Sequence, residues 1–249
     1  MMRVNIDLTN PGQFFACCGV FELAQRLWPN ATAHFEGACF VVSAGELKEL
    51  LERASQASLT NLVESDSAAS PMQLGQPFEL RLDWWKAGAG DPSLKPWAGT
   101  MVGSRIARAM QRELVDTLNR GLFDDGHVVV GFDGKKVEPF YFDARRGASA
   151  LPLDVGFSAD ALSMETIAFP ATEFLTLVGL QRFRPAVLAP RVFQYRAWRT
   201  PLPITLAALA TANVLPDAGA LLRFENAFRT DQRKHKAFSP AVHVNGDGK

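Results

Sequence analysis

The sequence predicts an α+β fold in which antiparallel sheets pack against helices, and three observations carry that prediction. Residues 3–8 alternate polar and apolar side chains, the period of a half-buried strand. Residues 13–27 are apolar around most of a helical circumference, which suits a helix at the centre of a core rather than on a surface. Short alternating runs also flank Glu36-Gly37 and Asp133-Gly134, dipeptides that turn hairpins.

Taken in order, the strand at 3–8 ends at Thr9, Asn10, Pro11 and Gly12, where Thr9 or Asn10 caps the central helix and its first turn tolerates Pro11. Pro29 stops this helix, and Gly19 inside it marks close approach of a neighbouring backbone. Residues 33–35 and 39–42 form a hairpin, after which Ser43, with Glu46 three residues on, caps a helix to about residue 57. Residues 60–76 are polar and small, as in a loop, and 78–85 alternate as a strand. The Gly- and Pro-rich run 86–99 is a long irregular connection and holds no phosphate-cradling motif. A helix over 100–118 carries the stripe Arg105, Arg108 and Arg112, read first as a solvated face. Strands at 127–132 and 136–142 make a second hairpin, and residues 143–147 a loop. An extended region lies within 154–169, then a short apolar helix covers 171–180 behind Pro170. An alanine-rich helix at 203–211 and a strand at 221–228 complete the pattern. No repeat or linker interrupts it, so the expectation is a single α+β domain over 1–249, with a basic C-terminal lobe from about residue 181.

Composition narrows the function classes. The chain is 47% hydrophobic and 21% charged, which excludes general disorder, and its net charge of zero gives no whole-molecule case for nucleic-acid binding. The distribution differs: residues 1–180 hold 15 basic against 22 acidic side chains (−7), and residues 181–249 hold 11 against 4 (+7). That split points to an electrostatic footprint in the last quarter, or to a charged neighbour in an assembly. Cys17, Cys18 and Cys39 make no disulfide framework, and His34 with them makes no zinc site, so neither metal nor cofactor is expected. The N-terminus does not read as a signal peptide and no apolar run approaches a membrane span, so a cytoplasmic protein without membrane contact is expected.

The chemistry concentrates between residues 182 and 199. Arg182, Arg184, Arg191, Arg196 and Arg199 alternate there with Phe183, Phe193, Tyr195 and Trp198. Guanidinium forks pair with phosphates and aromatic faces accept unstacked bases, so this run is a candidate polynucleotide surface; the competing reading is an amphipathic strand with a solvated basic face. The segment 229–236 adds Arg229, Arg233, Lys234, His235 and Lys236. No HExxH, CxxC or GxSxG arrangement is present, so no catalytic residue is assigned. One chemical alternative uses His235 between Lys234 and Lys236, with Tyr195 or Arg233, as general base on an RNA 2′-hydroxyl while cations stabilise the phosphorane. That chemistry is metal-independent RNA cleavage.

Six runs carry a further likeness: residues 6–29 (IDLTNPGQFFACCGVFELAQRLWP), 140–147 (FYFDARRG), 153–158 (LDVGFS), 173–185 (EFLTLVGLQRFRP), 191–203 (RVFQYRAWRTPLP) and 236–241 (KAFSPA). In them the chain resembles a subunit family of type I-U (I-G) CRISPR-Cas effector complexes, over nearly its whole length. The resemblance implies a fold that is ferredoxin-like in part, other CRISPR-Cas effector subunits as partners, and contact with CRISPR RNA and/or target DNA. It implies a non-catalytic subunit of the interference complex; the alternative within the same setting is a metal-independent CRISPR RNA-processing endoribonuclease.

Overall fold

The first strand, β1 (Met2–Asn5), leads into α1 (Pro11–Leu27), and α1 is the helix that the molecule is built around. In the computed structural model, residues 1–63, 70–84, 102–117, 121–124, 126–146, 167–215, 219–228 and 236–244 are described. Asn10 caps α1, its Oδ1 accepting from the Gln13 amide at 3.4 Å, and Pro11 occupies the first turn, where no amide hydrogen is needed. Every residue from Pro11 to Ala24 is buried, as expected of a helix with no polar face.

The strands β2 (Thr32–Glu36) and β3 (Cys39–Val42) form the expected hairpin, with Gly37 at φ +59° in its turn. β3 also pairs antiparallel with β1, so it lies between β1 and β2 while α1 crosses over: a split βαβ unit, half of the ferredoxin-like pattern that the resemblance implies. The fourth strand departs from that pattern, because β11 (Leu202–Pro203) comes from far along the chain and pairs with β2. The following helix, α2 (Leu47–Gln56), has no side-chain cap, contrary to the Ser43 box expected. The Ser43 hydroxyl instead accepts from the Thr32 amide at 2.8 Å and ties the hairpin's ends together.

At both ends of the loop expected at 60–76 lie strands: β4 (Leu59–Asn61) and β5 (Met72–Leu74) make, with β6 (Leu80–Leu82), a three-stranded antiparallel sheet. Leu59, Met72, Leu74, Leu80 and Leu82 are buried at alternate positions, a signal that the surrounding Ser and Ala residues dilute. The helix expected at 100–118 breaks at Glu113 into α3 (Gly103–Arg112) and α4 (Leu114–Thr117). The hairpin expected at 127–142 keeps its turn, with Gly134 at φ +73° and a Val130–Lys136 bridge, but not its strands. β7 (His127–Val128) pairs instead with β8 (Ile167–Ala168), and the far arm bends at Tyr141, φ +65°. The connection at 86–99 and most of the extended region at 154–169 lie outside the described residues.

α5 (Pro170–Gly179) is buried along its whole length and packs on α1. Beyond it, β9 (Ala186–Ala189), β10 (Val192–Ala197), α6 (Ile204–Thr211), β12 (Ala220–Phe228), β13 (Lys236–Phe238) and β14 (Val242–His243) complete the chain. The sheet runs β13-β12-β10-β9, with β14 also on β12. The C-terminal part shares the N-terminal core: Tyr195 of β10 stacks on Phe14 of α1 with ring centroids 4.3 Å apart. Among the described residues no helix is long and apolar enough to cross a membrane.

α1 and α5 touch backbone to backbone. A Cβ on Gly19 would lie 2.0 Å from the Leu175 carbonyl oxygen, and one on Gly179 2.1 Å from that of Phe15. Neither obstacle is a movable side-chain end, so Gly19→Ala should force the helices apart and cost about 1–3 kcal/mol or more, the usual range for overpacking. The midpoint and slope of urea unfolding measure it; a variant as stable as the parent would disprove the close approach.

Candidate nucleic-acid interface

The aromatic half of the expected surface is internal, which corrects the sequence reading. Alternation along β10 turns Phe193 and Tyr195 to one face, and that face is the core. Phe193 is 3% exposed and Phe183, Tyr195 and Trp198 are 0% exposed, so no base can stack on these rings. Their polar ends are satisfied inside: Tyr195 Oη donates to the Leu8 carbonyl at 2.7 Å, and Trp198 Nε1 to that of Ala33 at 2.7 Å. Burial and the charge of Asp7 hold the Tyr195 hydroxyl well above its usual range.

The cations of the run do not form one surface either, because two strands fold it back on itself. Arg196 bonds locally, Nε and NH2 donating to Asn213 Oδ1 and NH1 to the Gly219 carbonyl at 2.8 Å, which secures the chain between α6 and β12. Arg191 turns β9 into β10 at φ +65°, lies 3.5 Å from Glu225 and sits over the Phe228 ring. Arg199 is exposed just past β10. Lys236 begins β13 with its ammonium 5.7 Å from the Phe228 ring centroid. Arg229, Arg233, Lys234 and His235 lie outside the described residues.

Arg182 and Arg184 belong to a different constellation. With Arg26, Arg81, Glu22, Asp83, Gln181 and Leu80 they line an open groove of about 650 Å³. Its organiser is Glu22, a carboxylate on the inward side of α1 that is 1% exposed. Glu22 Oε1 accepts from Arg26 Nε and NH2, both at 3.1 Å, and from Arg182 NH2 at 3.3 Å, while Oε2 accepts from Arg182 Nε. Arg26 NH1 also donates to the Phe78 and Glu79 carbonyls at 2.6 and 3.0 Å, clamping the start of β6 against α1. The bonds to Glu22 raise the Arg182 guanidinium above its usual pKa, so it is cationic at any working pH. Arg81 is paired with Asp83 at 2.7 Å, and Gln181 holds Asp83 by its backbone amide and carbonyl at 3.0 and 3.1 Å.

Among the described residues lining this wall, four guanidiniums and two carboxylates converge. Arg26 and Arg182 share one anchor, which removes much of the rotamer freedom that binding would otherwise cost. Such a wall suits a phosphate-bearing chain; among the described residues that line it there is no histidine, thiol or hydroxyl. Sequence reading singled out Arg182 and Arg184 but not Glu22 and Arg26 of α1 or Arg81 of β6. A signal was present: Glu22 interrupts an otherwise apolar helix, and a carboxylate there requires a cationic partner.

In a second polar cluster the carboxylates are buried. Asn10 Nδ2 donates to Asp143 Oδ1 at 2.9 Å, and Arg145 Nε and NH2 reach the same carboxylate at 2.9 and 2.8 Å. Glu173 of α5 accepts from the Phe142 and Asp143 amides at 3.3 and 3.2 Å. Burial pushes its carboxyl up to about 8, aided by the Asp143 charge and only partly opposed by the amides. With Asp143 and Glu173 both 0% exposed, this cluster ties residues 142–145 to the two central helices. Cys17 and Cys18 are equally enclosed, their thiols pushed well up by burial, and are inert. Among the described residues no group of three His, Cys, Asp or Glu side chains is placed to hold a metal ion. No family model, curated protein or solved structure matches the chain.

Two outcomes follow from these carboxylates. Glu22→Gln should destabilise the protein by about 2 kcal/mol, below the ~3–5 of a fully buried pair because both guanidiniums reach solvent; urea unfolding measures it, and an unchanged midpoint would refute the anchor. For Glu173, the folded state keeps a proton up to about 8 that the unfolded carboxyl releases near 4.5. The native state therefore binds more protons in that window, and its contribution, complete below 4.5, is lost as pH rises through 8. Unfolding midpoints of Glu173→Gln across the same window should fall less than those of the parent; parallel curves would show that Glu173 is ionised throughout.

Proposed function

We propose that this chain is a non-catalytic subunit of a type I-U (I-G) CRISPR-Cas interference complex, working in the cytoplasm, that grips the backbone of CRISPR RNA or target DNA and docks onto fellow subunits. The observation that carries the nucleic-acid half is the groove in which buried Glu22 holds Arg26 and Arg182 beside Arg81 and Arg184. In RNA-guided complexes base pairing reads sequence while protein holds the phosphate chain, and a fixed row of guanidiniums suits that division. The likeness to the effector subunit family is supported by where its motifs meet: Asn10, Asp143 and Glu173, from three of the six runs, join in one buried network. The docking half is supported by α6, which is apolar on its outer side as well, with Leu206 and Leu209 about two-fifths exposed at 40% and 41%.

The test is titration of labelled single-stranded RNA and DNA with the parent and with Arg81→Ala/Arg184→Ala at several salt concentrations. Each lost phosphate contact should lower the salt slope by about 0.7 on a single strand, so the double variant should bind more weakly with a slope about 1.4 shallower. Equal affinity and slope would exclude the groove as the contact. Incubation with repeat RNA in EDTA separates the enzymatic alternative: a product lost in His235→Ala would make the chain an RNA-processing endoribonuclease.

A further inference from the structure

The arginines of the groove are not equally committed, and their hydrogen bonds separate them. A guanidinium carries its N–H donors in a fixed planar fork. Arg26 makes four bonds within the chain: Nε and NH2 donate to Glu22, and NH1 to the Phe78 and Glu79 carbonyls. It is a brace between α1 and the approach to β6. Arg182 makes two, from Nε and NH2, both to Glu22. Arg81 also makes two, Nε and NH2 donating to Asp83 Oδ2 at 3.2 and 2.7 Å. In both residues the carboxylate takes the Nε side, and NH1 donates to nothing among the described residues. The far end of each fork, NH1 with the second NH2 hydrogen, is still to be filled. Both side chains line the groove and reach solvent, Arg182 at 40% and Arg81 at 62%.

The two open ends are also held in relation to each other. Gln181 precedes Arg182, and its side chain grips the partner of Arg81: Oε1 accepts from the Asp83 amide at 3.0 Å and Nε2 donates to the Asp83 carbonyl at 3.1 Å. A further bond from Nε2 to the Leu177 carbonyl at 2.9 Å fastens Gln181 to α5. One amide side chain therefore links the two forks. Each fork is aimed by a carboxylate before any ligand arrives, which lowers the ordering cost of binding. An end-on fork offers two parallel donors, the geometry of the two non-bridging oxygens of a phosphodiester. Those oxygens fill one fork, so two forks call for two phosphates. The unfilled donors, and not a sum of charges, select this ligand: a strand supplies its second anion at a fixed step along the same chain, as two linked forks require.

We propose that Arg81 and Arg182 form a paired clamp for two phosphates of one strand, with Gln181 as the positioning residue that sets their spacing. This rests on the polynucleotide reading above and adds which groups touch the ligand and which hold them. The test is titration of labelled oligothymidine with the parent, Arg81→Lys, Arg182→Lys, the double lysine variant and Gln181→Met at several salt concentrations. Lysine keeps the charge and the carboxylate partner but has no fork, so each single lysine variant should bind about ten-fold more weakly. Its salt slope should be about 0.7 shallower, and that of the double variant about 1.4. Gln181→Met leaves both arginines in place, so it should weaken binding at every salt concentration while keeping the parent's slope. Lysine variants that match the parent would show that charge alone matters, and a double variant no shallower than either single one would mean one shared phosphate; either overturns the clamp and leaves the groove standing. Gln181→Met binding like the parent overturns the positioning role. Arg81 stands on the exposed side, so its variant decides the question even where Arg182→Lys, beside buried Glu22, fails to fold. Polyglutamate that displaces the label as well as unlabelled strand does would make this a site for acidic protein and overturn clamp and groove together, as would a parent that binds no strand.

Discussion

Everything in this molecule hangs on two apolar helices meeting at glycine. At Gly19 and Gly179 the backbones of α1 and α5 come so close that a single added carbon on either would overlap a carbonyl oxygen. The contact is reinforced a turn away, where Thr176 Oγ1 donates to the Gly12 carbonyl at 2.7 Å. It also sets what lies beyond it. Glu22 stands three residues after Gly19, and Arg182 three after Gly179, so the approach that buries the helices also delivers the carboxylate to its guanidinium. The groove is thus a product of core packing, made where the helices run out of apolar surface.

The two buried glutamates show how one side-chain type serves opposite ends. Glu22 meets two cations whose far edges reach water, so its ionisation is compensated and organises a charged wall. Glu173 meets backbone amides and the charge of Asp143 in a space closed to solvent, so neutrality is favoured instead. The charge of the partners, more than the number of hydrogen bonds, separates the two cases. Glu173 ties the fold together from within, and Glu22 anchors the guanidiniums that line the groove.

The division between rings and cations follows the same physics. A strand sends successive side chains to opposite faces, so arginines and aromatics interleaved along β10 separate, the rings entering the core and Arg196 staying at the surface. Interleaving in sequence therefore disperses the two kinds of group in space. They meet instead where different elements converge, as Arg112 of α3 does over Phe132 of a turn.

The α+β class, the capped central helix behind Asn10, the 32–42 hairpin and the importance of Gly19 were all legible in the residues, because periodicity, caps and glycine express local backbone preference. So was the excess of cations after residue 180. Local preference says nothing of which face of a strand meets the core. The inward turn of Tyr195 and Trp198, the strand partner that β11 supplies to β2, the break at Glu113 and the pairing of Glu22 with Arg182 across 160 residues were therefore settled only by packing. Burial is a property of the whole chain, and in this protein burial decides which charged and aromatic groups remain available to a ligand.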